Sequence, residues 1–195
     1  MTGSGAGDPR RESPMASLTE RMIRAARLDV ALYEEVEGDP TAMKQAMTVV
    51  VLSAVAAGVG AGRHVGLGGV VALIVVALAG WYIWAFLTYW IGTRVLPEPS
   101  TRADHGELLR CIGFASAPGI LRVLGIVPGL RGLAFAVTGI WMLVATVIAV
   151  RQALDYTSTG RAAGVCLIGW IVQAILVAVV MGLLGAPLMG MGRSG

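Results

Sequence analysis

A chain of 195 residues that is 56% hydrophobic and 14% charged, with a mean hydropathy of +0.75, has no room for an ordinary soluble domain beside its apolar runs. The formal charge of +3 does not point to nucleic acid, because the basic residues gather on alternate loops, where lipid headgroups account for them. Only Lys44 stands against fourteen arginines, and Ala, Gly and Val dominate, as in GC-rich bacterial genomes.

Residues 1–16, punctuated by Gly, Ser and Pro without an apolar period, read as a disordered tail. Residues 17–38 read as one cytoplasmic amphipathic helix. Ser17 with Glu20 fits a capping box, Leu18, Met22, Ala26, Val30 and Tyr33 recur at helical spacing, and Gly38 ends it. Two settings suit such a helix equally. Either its apolar face lies among headgroups with Arg21, Arg24 and Arg27 near lipid phosphates, or it is solvated or docked on the bundle. Asp39 and Pro40 then supply an N-cap and a first-turn proline for the next helix.

Five long apolar runs follow, at 42–62, 67–91, 108–130, 132–150 and 164–186. Each is near the roughly 20 residues a helix needs to cross about 30 Å of hydrocarbon. The expected fold class is all-α, a polytopic membrane protein with five transmembrane helices within 39–188 and a short external tail at 189–195. Eleven of the fifteen basic residues fall on the N-terminal side of the membrane and four on the other. The positive-inside rule therefore places the N-terminus in the cytoplasm and the C-terminus outside, across what the composition suggests is a bacterial plasma membrane. The first run begins some forty residues in and lacks the signal-peptide shape, so no cleavage is expected. Cys111 and Cys166 fall at the cytoplasmic starts of their runs, in a reducing compartment, and read as small packing residues rather than a disulfide.

The Gly-rich first loop has no strand before it and no Lys-Ser/Thr after it, so it is not a phosphate loop. Gly58 with Gly62, and Gly125 with Gly129, have GxxxG spacing and suit close helix packing. Trp81 and Trp84 read as bulky packing groups, and Tyr89 and Trp90 as an interfacial pair. Thr101 with Asp104 reads as the capping box of the third membrane helix. Within that helix Pro118 has no N–H to give and disfavours straight continuation, so the helix should bend or break and free the carbonyl near Phe114. Arg122, one turn on, is too costly to face lipid at mid-depth. It either points into the bundle or a wet cavity, as an anion or lipid-headgroup site, or snorkels to the outer headgroups. Gln173, near the middle of the fifth run, should face the bundle and bond a hydroxyl or a freed carbonyl on a neighbouring helix.

From Glu107 a series of features runs to Arg161: Leu-Leu-Arg at 108–110, a small-residue stretch ending in proline at 113–118, Val-Pro-Gly at 127–129, the span around Trp141, and Arg-x-Ala-Leu at 151–154. This segment resembles the Yip-one domain family, and with five spans and a cytoplasmic N-terminus the resemblance covers roughly residues 18–186. It implies an integral membrane protein whose eukaryotic members are tied to Rab-type GTPases, vesicle traffic and membrane shape. A cytoplasmic head of about forty residues and a bacterial composition argue against a Rab-type GTPase here.

His64 and His105 fall in loops on opposite sides, which excludes a shared metal or acid-base site in a monomer. Glu34 and Glu35 lie outside the membrane, and Ser116 has no intramembrane His or Lys to activate it. No catalytic role, metal or cofactor is expected. Arg110, Pro118, Arg122 and Gln173 are the candidate functional or packing residues. The expected partners are the lipid bilayer and either another membrane protein or a second copy of the chain. The expected function is a non-enzymatic one, in membrane organisation, trafficking-like roles or as a subunit of a membrane assembly. The alternative is a small transporter or channel component with its site at the broken third span.

Overall fold

The computed structural model describes residues 17–62 and 67–191, which form seven α-helices and no strand. Two short helices, α1 (Leu18–Ala26) and α2 (Val30–Glu37), precede α3 (Met43–Gly60), α4 (Leu67–Trp90), α5 (His105–Ala115), α6 (Arg131–Ala153) and α7 (Thr159–Met191). Five stretches are long and apolar enough to cross a membrane: Pro40–Gly60, Gly68–Val95, His105–Ile126, Arg131–Ala153 and Thr159–Leu176. They coincide with the five predicted runs to within a few residues at most ends. The third stops at Ile126 rather than 130, because residues 127–130 turn the chain back with Gly129 at φ 84°. The fifth helix starts earlier than predicted and continues to Met191, into the predicted tail. The tail at 1–16 and residues 192–195 lie outside the described residues.

The bundle has two ends. The head end carries α1, α2 and the loops at 96–104 and 154–158; the far end carries the turns after Gly60 and Ile126. The head segment is two helices, not the single one expected over 17–38. Arg27 and Leu28 end α1, Leu28 adopting φ 61°, and the Asp29 carboxylate caps α2 by accepting from the Ala31 N–H. A leucine in the left-handed region is held there only by its surroundings, and Leu28 packs against the core. The buried face keeps Leu18, Met22 and Tyr33 of the predicted one and departs from it at Val30. Ala25, Leu32, Tyr33 and Val36 are fully buried while Val30 is exposed, because the break at Leu28 shifts the helical phase between the two halves. Trp141 donates its indole N–H to the Ala26 carbonyl at 2.7 Å. Trp141 lies twelve residues from the head end of α6, so the tip of the α1–α2 hairpin reaches about 18 Å down that helix. The hairpin is docked along the bundle rather than laid flat on it.

The third span changes helix type midway. α5 starts at His105 under a capping box made by Asp104 and Glu107; the Thr101 hydroxyl, expected in that role, instead accepts from the Glu98 N–H. α5 stops at Ala115, and after Ser116 the chain winds as a 3-10 helix from Ala117 to Ile126. Pro118 sits in its first turn, where a missing N–H costs least. A 3-10 helix has three residues per turn, so Ser116, Gly119, Arg122 and Gly125 fall on one line along it. Facing them on α3 are Ala46, Ser53 and Gly60, seven residues apart and hence on one α-helical face. Gly113 abuts Ala46, Gly119 abuts Ser53, and Gly125 abuts the Gly60 carbonyl. The close backbone approach is thus Gly60 against Arg122 and Gly125, and not a GxxxG pair at 58/62 or 125/129. At α4 the last turn widens to a π-helix, Ile91–Val95, where the Tyr156 hydroxyl reaches the carbonyls of Gly92 and Leu96 at 2.8 and 2.6 Å.

Candidate functional site

The polar groups of this protein form two sites, one locking the head and one inside the bundle. In the first, Arg21 is 4% exposed and reaches three partners: Glu35 at 3.0 Å, Asp39 at 2.8 Å and Gln45 at 3.0 Å. Arg24 bridges Asp29 at 2.8 Å and Glu35 at 2.6 Å. The hydrogen bond from Arg24 holds the Asp29 carboxyl below its ordinary value, and the Thr41 hydroxyl followed by Arg21 does the same for Asp39. These arginines therefore answer carboxylates of their own head, not lipid phosphates. Sequence spacing did not reveal the network because its members lie 5 to 24 positions apart and meet only once the hairpin folds. Arg110 completes the lock from the bundle side, donating to the carbonyls of Val36 and Glu37 at the end of α2. The Cys111 thiol also meets the Tyr33 carbonyl.

Glu37 is the head carboxyl whose ionisation is most disturbed. Burial, then the nearby charges of Asp155, Glu107 and Glu34, push its carboxyl up to about 7, with Arg110 opposing. The folded head holds a proton here at pH values where the unfolded chain has lost it. This contribution to stability is therefore complete below about pH 4.5 and lost as pH rises to about 7. Wild-type protein in detergent should unfold at a lower temperature at pH 8 than at pH 5, and Glu37→Gln should reduce that difference. An unchanged difference in the variant would assign the pH dependence to other groups.

The second site lies between the spans. Arg122 leaves the 3-10 helix toward α6, where its Nε donates to the Thr138 hydroxyl at 3.3 Å and its guanidinium carbon lies 5.6 Å from the centre of the Phe135 ring. The ten acidic residues among the described ones lie at 20–39, 98–107 and 155, and none of them pairs with Arg122. Arg122 is consequently a half-buried cation with no acidic partner among the described residues. It lines a cavity of about 330 Å³ together with Ser53, Ser116, Thr146, Trp81, Trp84, Trp170 and Gln173. Ser116 and Thr146 donate to carbonyls of their own helices, as Thr88 and Thr138 also do, which leaves their oxygen lone pairs available. Trp81 donates to the Leu109 carbonyl at 3.1 Å, and Trp84 stacks on Trp170 at 6.1 Å. Gln173 is half-buried on the cavity wall but makes no hydrogen bond to a neighbouring helix among the described residues, contrary to expectation, because its amide ends at the cavity rather than against a facing helix.

Of the four residues singled out, Arg122 and Gln173 meet in this chamber, Pro118 is buried just behind it at the change of helix type, and Arg110 belongs to the head lock. His105 opens α5 rather than sitting in a loop, with its ring edge-on to Tyr82, Phe86 and Tyr89; His64 lies outside the described residues.

Five apolar helices, a docked helical head and a third span broken into α and 3-10 halves define a polytopic all-α membrane protein. The Yip1 domain profile matches residues 32–181, most of the chain and all five spans, and the protein belongs to the Yip1 domain family. No curated protein and no solved structure shows significant similarity to it.

Proposed function

We propose that this Yip1-family protein acts without catalysis as a subunit of a membrane assembly, organising neighbours within the bilayer from a cytoplasmic-side head. The supporting observation is how little of three spans the chain covers by itself: 11% of the apolar stretch of α4, and 22% of that of α6 and of α7, is buried. Ile83 and Phe86 on α4, and Leu167, Ile171 and Ile175 on α7, lie open to lipid or to a neighbour. The head, by contrast, is pinned to its own spans and presents a rigid surface. A photo-crosslinking side chain at Ile83 or Ile171 should yield one discrete adduct, to a second protein or to another copy, at near-stoichiometric amount. Crosslinks to lipid alone would defeat the assembly reading.

The alternative of a small transporter or channel component draws on the chamber at Arg122. It requires solute flux in proteoliposomes that Arg122→Gln abolishes.

The orientation follows from the eleven-to-four distribution of basic residues. A reporter active only in the cytoplasm should work when fused before Met15 or inserted within 97–104, and fail after Gly192. Activity at both chain ends would contradict five crossings. The plasma membrane of a bacterium is the compartment the composition favours.

A further inference from the structure

We infer that the chamber at Arg122 and the groove continuing from it hold one amphiphile, with an anionic head, carboxylate or phosphate, on Arg122 and an alkyl chain running between α3 and α4. Three observations carry this, and none depends on the assembly reading above. Arg122 spends its Nε on Thr138 and has no carboxylate in reach, so a charge has been placed inside the spans with its planar fork available. An anion is what such a group binds with a gain in free energy, through charge-assisted hydrogen bonds strengthened by the low dielectric around them. Gln173 and Ser53 make no hydrogen bond to protein among the described residues, and so offer donors to the same anion.

The chain follows from the shape beyond the head. One helical turn past Ala54 and Ala77 the wall becomes apolar, a groove of about 500 Å³ lined by Ala57, Gly58, Gly69, Ala72, Leu73 and Phe135. Small residues keep it open: a Cβ at Gly58 would come within 3.0 Å of the Leu73 side chain. Phe135, beneath the Arg122 guanidinium, belongs to this groove, so the cation stands where chamber and groove join. A soluble anion would leave the groove empty and an uncharged lipid would leave the arginine unanswered. A molecule with both parts satisfies both.

The test uses the purified full chain in nanodiscs of phosphatidylcholine, with Trp81, Trp84 and Trp170 as reporters. Added fatty acid or phosphatidic acid, each brominated along the chain, should quench their fluorescence saturably, while brominated phosphatidylcholine quenches only in proportion to its concentration. Saturation by the fatty acid alone identifies a free carboxylate as the head, and saturation by phosphatidic acid alone a lipid phosphate. Arg122→Gln should weaken the binding at least about tenfold and Arg122→Lys by less, since Lys keeps the charge and loses the fork. Ala72→Phe, at an exposed position on the groove wall, should weaken it while leaving thermal unfolding unchanged, and so provides a reading should Arg122→Gln misfold. Quenching that saturates with neither anionic probe, or that survives unchanged in both Arg122→Gln and Ala72→Phe, overturns the proposal.

Discussion

Arg21→Met is expected to release the α1–α2 hairpin from the bundle. The substitution keeps much of the apolar stem and removes the group that joins Glu35, Asp39 and Gln45, leaving Asp39 without a cation and Glu35 with Arg24 alone. Removing one member of a buried pair costs about 3–5 kcal/mol, and the lower end applies here because the carboxylates are 34% and 22% exposed and water can answer part of the charge. The thermal midpoint in detergent should fall, and backbone amides of α1 and α2 should exchange with solvent far faster than those of α3. Adding Asp39→Asn to Arg21→Met should recover part of the loss, since a neutral amide no longer needs a cation. Unaltered exchange in α1 and α2 would mean that apolar burial, with Leu32, Tyr33 and Val36, holds the hairpin without the ion pairs.

Gly60→Ala should be the most damaging single-methyl change in the spans. A Cβ there would overlap the main-chain carbonyl of Arg122 and lie 3.3 Å from the Phe135 ring, and main chain cannot turn aside as a side chain can. Overpacking of this kind costs about 1–3 kcal/mol, and a backbone obstacle puts Gly60→Ala at the upper end. Gly58→Ala, two residues earlier on the same helix, meets only the tip of Leu73, so the intrinsic helix preference of alanine over glycine offsets the contact. A large fall in the unfolding midpoint for position 60 and little change for position 58 is the expected pair. Equal effects, or the reverse order, would show that the contact between α3 and the 3-10 helix is not as close as described.

Helix type decides which of the glycines meet. Spacing at 58/62 and 125/129 fits a familiar four-residue motif, but that motif presumes an α-helix on both sides. The third span presents its small residues every three to six positions instead, because it is a 3-10 helix from Ala117 onward. Pro118 announced the break in sequence; it did not announce that the chain would continue with a different period, since a proline is equally compatible with a kink, a stop or a change of helix type. Similarly, Asp104 with Glu107 and Thr101 with Asp104 both satisfy the capping pattern, and only the path of the preceding loop, with Thr101 turned back to the Glu98 N–H, selects the first pair.

By itself the sequence determined the membrane class, the number of spans and their approximate ends, because each depends on the local cost of putting backbone and side chains into hydrocarbon. It also determined the family resemblance and marked Arg122 and Gln173 as residues too polar for lipid. What faces them, and what faces the head, was decided only by tertiary structure. Arg21, Arg24, Glu35 and Asp39 form a lock only because Leu28 breaks the segment into two helices that fold against each other. The chamber exists only because the 3-10 turn rotates Arg122 onto the line of Gly119 and Gly125 and lays that line against α3. Contacts between residues many positions apart depend on rotation and depth of whole helices, and neither quantity is encoded in any one stretch of the chain.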